Sequence, residues 1–402
     1  MFPGNIPRIV LIRPTPSRLA VRLSLAAVAC VVCTAALGQA GPSKDGPAKT
    51  GADPALYRQT LSKAIAYLQT VQAEDGSYSS MAGPGVTALV TTGLLRHGRS
   101  AADPLVARSL AYLHGFVQDD GGIYKPGTLY RNYETCLAIM CFAEANRRGH
   151  YDQVIDRAEA FLKDLQWDDA EGHDQASFSY GGGGYGKHMR PDLSNTAMLV
   201  DALKAAGTDA DDEAIKKAMI FISRCQNLES EHNTTPHGAK NPDGGFYYTP
   251  AAGGSSQAGE TDRGGLRSYG SMTYAGLKSM IYAGLKPDDQ RVQAAAKWIH
   301  RFYTLKENPG IGNSGLYYYY HTFAKALDAL GEDRITDCAG VVHDWRHELV
   351  AELARRQQAN GSWVNENDRW LEGDPMLVTG YALLALSYCQ PFASTVDRQE
   401  GR

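Results

Sequence analysis

The chain is poor in the features that mark several large classes of protein. No strand-like alternation of apolar and polar residues rises above the pattern along its 402 residues, which argues against a sheet-based fold. Lysine and arginine do not outnumber the acids. The formal net charge is −4, so the electrostatic footprint of a nucleic-acid binder or of an anionic membrane surface is missing, and no nucleic-acid partner is expected. After the first forty residues only Cys136, Cys141, Cys225, Cys338 and Cys389 remain, an odd number without a CxxC pair, so no disulfide framework is readable. No apolar run reaches the roughly 20 residues that span a bilayer. The longest, Leu23 to Leu37, is too short.

What is present is repetition. Gln72…Gly76-Ser77-Tyr78, Gln118…Gly122-Ile123-Tyr124 and Gln357…Gly361-Ser362-Trp363 share one spacing: Gln, three residues, Gly, one residue, aromatic. Gly245-Phe246-Tyr247 and Gly315-Leu316-Tyr317 are looser copies, and Phe178/Tyr180 stand in for the turn of the third unit. Downstream of each turn a threonine opens a second helix: Thr87, Thr135, Thr196, Thr273, Thr322 and Thr379. The helices before the turns carry apolar residues on one face only, as at Tyr67-Leu68 and Trp298-Ile299. Those after the turns are apolar nearly all round, as from Thr379 to Leu386. Gly98, Gly149, Gly207, Gly284 and Gly331 suit their C-terminal ends. The expected fold is therefore all-α, six helix pairs in an outer amphipathic and an inner apolar layer. Long intervals before Thr196 and Thr273 hold the Gly-rich insertions Gly181–Gly186 and Ala251–Gly265, which are candidates for function.

The N-terminus is of another kind. Arg8, Arg13, Arg18 and Arg22 precede the run Leu23–Leu37, and the small residues Gly38 and Ala40 follow. This layout predicts a signal peptide over 1–40 and export to the periplasm or beyond, with an uncleaved anchor as the alternative. Residues 41–54 read as a disordered linker, 55–392 as the repeat domain and 393–402 as a flexible tail.

With the Gln-x-x-x-Gly-x-aromatic turns and six helix pairs in view, the chain resembles the prenyltransferase/squalene-cyclase repeat family. The resemblance covers residues 55–392 and implies an α/α toroid, six inner and six outer helices around a central cavity. It further implies that Gln72, Tyr78, Gln118, Tyr124, Gln357 and Trp363 are structural and tie outer helices together. Pro191-Asp192-Leu193-Ser194-Asn195-Thr196-Ala197 is similar to the Asp-x-Asp-Asp-Thr-Ala motif of the cyclases, whose central acid protonates an alkene. Ser194 and Asn195 replace its two inner acids, and a hydroxyl cannot do that work. Tyr319-Tyr320-His321-Thr322 is similar to the segment that supplies a zinc-binding histidine in protein prenyltransferases. The partner ligands are replaced by Gly270-Ser271-Met272-Thr273, so neither zinc nor an obligatory partner subunit is expected, and no cofactor is.

If the six threonines share a register, the residues before them face one end of the cavity. Glu134, Asn195 and His321 then occupy equivalent positions, with Tyr133, Ser194, Ser271, Met272 and Tyr320 lining the cavity beside them. Asp192, Glu134 and His321 are the catalytic candidates, each with helix capping or local hydrogen bonding as the plainer alternative. His343 and His347 have the spacing of helical metal ligands but lie on a charged outer segment, so no metal site is assigned. The reading that follows is an exported, non-catalytic binding or scaffold toroid. The alternative is an unconventional terpenoid-cyclase-like enzyme acting on an isoprenoid or other apolar ligand. The protein partner is left open.

Overall fold

The computed structural model describes residues 51–186 and 189–391. The expected leader, the tail and all of the expected linker except its last four residues lie outside them. Those four are built in: Ala52 is buried, and the Gly51 amide donates to Asp344 at 2.6 Å.

Among the described residues, twelve α-helices alternate between two layers. The odd-numbered ones are α1 (Pro54–Val71), α3 (Pro104–His114), α5 (Asp152–Asp164), α7 (Glu213–Arg224), α9 (Gln290–Phe302) and α11 (Trp345–Arg356). The even-numbered ones are α2 (Pro84–Arg96), α4 (Arg131–Ala145), α6 (Leu193–Ala206), α8 (Gly270–Tyr282), α10 (Leu316–Leu330) and α12 (Pro375–Ser387). Each even helix packs on the even helix before and after it, and α12 returns to α2, so the inner layer is a closed ring of six. The odd helices lie outside and bury one face each, α9 through Val292, Ala295, Trp298 and Ile299. A two-stranded antiparallel ribbon, β1 (Ile335–Thr336) with β2 (Val342–His343), follows α10. Among the described residues no helix is long and apolar enough to cross a membrane.

Local chemistry starts and stops these helices. Asp53, Asp103, Asp212, Asp289 and Asp344 cap five of the six outer helices, each accepting backbone N–H groups of the first turn. Gly207 and Gly331 close α6 and α10 in the left-handed conformation that an L side chain resists.

The repeat turns hold the ring together, in a register that differs in part from the sequence reading. The amides of Tyr78, Ile123, Gly183, Phe246 and Trp363 donate to the hydroxyls of Thr87, Thr135, Thr196, Thr273 and Thr379 at 2.9–3.2 Å. Two residues before each donor stands a glycine with φ between +79° and +93°: Gly76, Gly121, Gly181, Gly244 and Gly361. Each presses on the next outer helix so closely that a Cβ on Gly361 would lie 2.2 Å from the carbonyl oxygen of Lys63. The second turn is thus built on Gly121 and Ile123, one residue before the Gly122/Tyr124 expected. The third uses Gly181–Gly183 rather than Phe178/Tyr180. Gly315 is the N-cap of α10 and no repeat turn at all.

This register explains the glutamines. Gln72 bridges to Leu105 O and Ser109 Oγ of α3 (2.8 and 2.9 Å), and Gln357 to Thr60 O of α1 (3.0 Å). The side chain of Gln118, displaced by one residue from that position, stays in its own turn on Phe116 O and Tyr124 O and does not reach the next outer helix. Its expected role falls instead to Gln166, which reaches Ala214 O of α7, and Gln226, which reaches Arg291 O of α9, both at 2.9 Å.

Candidate functional site

The ring has two unlike ends. The inner helices' N-termini meet at one, as Asn132 Nδ2 on Asn195 Oδ1 (3.2 Å) and Ser194 Oγ beside Tyr318 Oη (3.1 Å) record. Their C-terminal halves meet at the other, where Arg96 of α2 joins Glu144 of α4 (2.6 Å) and Tyr388 after α12 (2.7 Å).

Asp192 is the N-cap of α6. It accepts from the backbone and side-chain nitrogens of Asn195 at 2.9 and 2.8 Å and from the Tyr248 hydroxyl. Burial pushes its carboxyl up to about 6, against those hydrogen bonds. Ser194, at the place of the cyclase motif's central acid, meets Tyr318. Glu134 faces its own repeat: it accepts from Lys125 N (2.8 Å) and Thr128 Oγ1 (3.0 Å), and burial raises its carboxyl.

His321 stands elsewhere. Thr322 donates within its own helix, to Tyr318 O and Tyr319 O, whereas each of the other five threonines accepts a repeat-turn amide. Tyr319, fourth residue of α10 as Thr196 is of α6, makes the link through its hydroxyl to Thr304 O at 2.7 Å. The α10 register is therefore shifted by three residues. Tyr318, not His321, matches Glu134 and Asn195, and His321 lies one turn deeper. No acid–base pair of Glu134 and His321 forms.

The expected lining differs accordingly. Tyr320 points to the outer layer, donating to Leu305 O (2.6 Å). Ser271 is held by Asn308, and Met272 is buried in the core. Tyr133 hydrogen-bonds Tyr381, and Tyr185 from the first insertion packs over Tyr133 with its ring centroid 6.3 Å away. Tyr185 also meets Tyr130 edge-on at 5.3 Å, and its carbonyl takes the Asn132 amide, so this insertion packs on the start of α4.

Beneath these tyrosines lies a cleft of about 20 Å³, lined by Leu89, Thr92, Arg96, Leu137, Met140, Met198, Tyr318, His321, Lys325, Tyr381 and Leu384. That is room for about one water molecule. Against it stands a buried ion cluster: Asp201 of α6 binds Lys278 of α8 at 2.6 Å and Lys325 of α10 at 2.7 Å, the three side chains being 3–7% exposed. Burial works to raise Asp201, but the two ammonium groups outweigh it and hold the carboxyl at about 2. Burial brings Lys278 down to about 8 against the pull of Asp201. His321 is pushed well below its usual range by burial and then by Lys325, which keeps it neutral, and its Nδ1 has no hydrogen-bond partner. Sequence reasoning missed Arg96, Asp201, Lys278 and Lys325. Their signal was available, since each is a charge set in an otherwise apolar inner helix.

Of the histidines set aside as metal ligands, His343 bonds Glu348 (2.9 Å) and stacks on Tyr303. Among the described residues no cluster of three or more His, Cys, Asp or Glu is placed to hold a metal ion.

Comparison with known proteins bears on the fold. Residues 80–249 match the model of the squalene-hopene cyclase C-terminal domain. A variant of the type II terpene cyclase MstE from Scytonema, solved without ligand, superposes over 84% of this chain and 98% of its own, with a TM-score of 0.50 at 14% identity. Protein geranylgeranyltransferase-I of Candida albicans covers 81% of this chain and 89% of its own, at a TM-score of 0.48 and 14% identity. A family 76 glycoside hydrolase from a bovine Bacteroides thetaiotaomicron strain covers 82% and 77%, at 0.49 and 13%. No curated protein matches the chain. The closed ring of helix pairs gives the chain the fold of an α/α toroid, and its segment 80–249 is similar to the squalene-hopene cyclase C-terminal domain.

Proposed function

We propose that this protein is a non-catalytic binding toroid, exported from the cytoplasm, whose insertion-bearing rim engages a protein partner. The narrow cleft at the ring centre carries the reading. A cleft of about 20 Å³ is too small for an isoprenoid, and a buried cationic group, Lys325, stands in the wall that would face a carbocation. The serine at the place of the motif's central acid supports the same view.

The rim at the inner helices' N-terminal end supports a protein partner. It exposes Met81, Leu129, Tyr130, Met189, Trp370 and Leu371. Aromatic residues, Met and Arg are enriched at protein interfaces, and Arg369 stacks on Trp370 here at 4.4 Å. Trp370 and Leu371 also hold φ of +58° and +64°, a strained conformation for bulky residues that clusters at binding sites. The basic-then-apolar leader supports export.

One observation favours an acid-initiated terpenoid cyclase instead: Asp192, at the head of the motif, is a buried carboxyl raised to about 6. Native mass spectrometry of the purified protein, with turnover assays on squalene and prenyl diphosphates, separates the two readings. The expected result is the mass of the mature polypeptide alone and no product. A co-purified isoprenoid, or a cyclised product lost in Asp192→Asn, would overturn the binding-toroid reading.

A further inference from the structure

The ring centre holds more positive than negative charge. Arg96, Lys278 and Lys325 face it, and only Glu144 and Asp201 answer them. Asp201 is shared by both lysines, one on each oxygen, and Lys278 also donates to Ala197 O at 3.1 Å. From α4 come Leu137, Met140 and Glu144, from α6 Met198 and Asp201, and from α12 Tyr381 and Leu384, with Tyr388 just beyond. One cation is therefore in excess, buried among apolar and phenolic groups. An uncompensated charge in such surroundings is costly.

The cleft lies where this excess is concentrated. Arg96 and Lys325 line it with cationic groups, beside Thr92, whose hydroxyl donates to Ala88 O, and Tyr318, whose hydroxyl meets Ser194. His321 lines it too, is nine-tenths buried and has a ring nitrogen without a partner. The volume of about 20 Å³ admits a single atom or one water and shuts out any polyatomic acid.

We propose that the ring centre is a binding site for one monatomic anion, chloride in ordinary surroundings, held between Lys325, Arg96 and His321. The anion neutralises the surplus ammonium charge and completes the packing between Lys325 of α10 and Arg96 of α2. It contributes to stability as any ligand of the folded state does, by mass action. This site does not depend on the binding-toroid reading and would be present in an enzyme as well.

The test is thermal unfolding of the full chain in sodium chloride, sodium bromide or sodium gluconate at matched ionic strength. Chloride and bromide should raise the melting temperature saturably, by about 3–5 °C when the anion reaches a hundred times its dissociation constant. Gluconate, too large for the cleft, should not. In His321→Phe, which keeps every charge and fills the cleft, the halide-specific rise should vanish. Because a variant in the core can fail to fold, bromide is also located by anomalous scattering in crystals of the unaltered protein. A peak in the cleft supports the site. Equal melting in halide and gluconate, or a cleft without bromide, overturns it.

Discussion

The side-chain amide of Gln357, in the last repeat, donates to the carbonyl oxygen of Thr60, in the first, at 3.0 Å. Chain neighbours 297 residues apart are thereby joined with the same bond that Gln72, Gln166 and Gln226 use between consecutive repeats. Replacing any of these four with Ala removes at least two hydrogen bonds, one of them between repeats, and should cost about 1–3 kcal/mol. Gln118→Ala, confined to its own turn, should cost less than about 1 kcal/mol. Urea unfolding of the five variants measures the difference, and equal losses would contradict the register described above.

Gly361→Ala should be among the most damaging single substitutions. The new methyl group would meet Lys63 O at 2.2 Å, and φ is +93°. Strain and displacement together should exceed about 2 kcal/mol. Gly98, also at positive φ but with open space around it, should cost less on the same change, which differential scanning calorimetry can rank.

Asp201→Asn should destabilise by about 3–5 kcal/mol, because it strands two buried ammonium groups. Lys278→Met should be much milder, since it leaves one lysine facing one carboxylate. Comparable losses from the two changes would argue against a shared carboxylate.

Asp192 supplies a pH dependence. Its folded-state value of about 6 lies above the ordinary 3.8, so the folded protein binds the extra proton between those values. Stability contributed by this group is full at low pH and is lost as pH rises from about 4 to about 6. Asp192→Asn should remove that decline, a difference of up to about 3 kcal/mol between the variant and the parent at the two ends of the window. Asp201, held at about 2, acts in the opposite sense: its contribution is present above about 4 and fades only as pH falls toward 2. Chemical denaturation from pH 4 to pH 7 isolates the first effect.

Leu371→Asn should stabilise the isolated protein by about 0.5–1 kcal/mol, since Asn tolerates the left-handed backbone that the exposed Leu371 now holds. If the rim binds a protein, the same change should weaken that complex. Melting temperature and affinity would then move in opposite directions.

The architecture was legible because repetition writes it six times. Inner and outer layers follow from which helices are apolar all round. The turns were partly misread because a Gly-x-aromatic pattern can sit one residue off the structural glycine. At Gly121/Gly122 both choices were glycines, and the aromatic side chain selected the wrong one. Gln166 and Gln226 were hidden by long insertions between them and their turns at Gly181 and Gly244. His321 was misplaced because Thr322 looked like the other five threonines, and only the hydrogen bond of Tyr319 reveals the shift. The ion cluster could have been read from charges inside apolar helices. Their pairing, across helices 77 and 124 residues apart in sequence, depends on ring closure.

That closure has a consequence for how the molecule comes apart. An open stack of repeats frays from its ends, where each terminal unit has one neighbour, and needs polar caps to finish it. Here the sixth unit rests on the first, so no unit is terminal and none can peel away without breaking two interfaces at once. Loss of structure anywhere on the circle should therefore draw in the whole, and a chain shortened or lengthened by one helix pair could not rejoin its ends around the same centre.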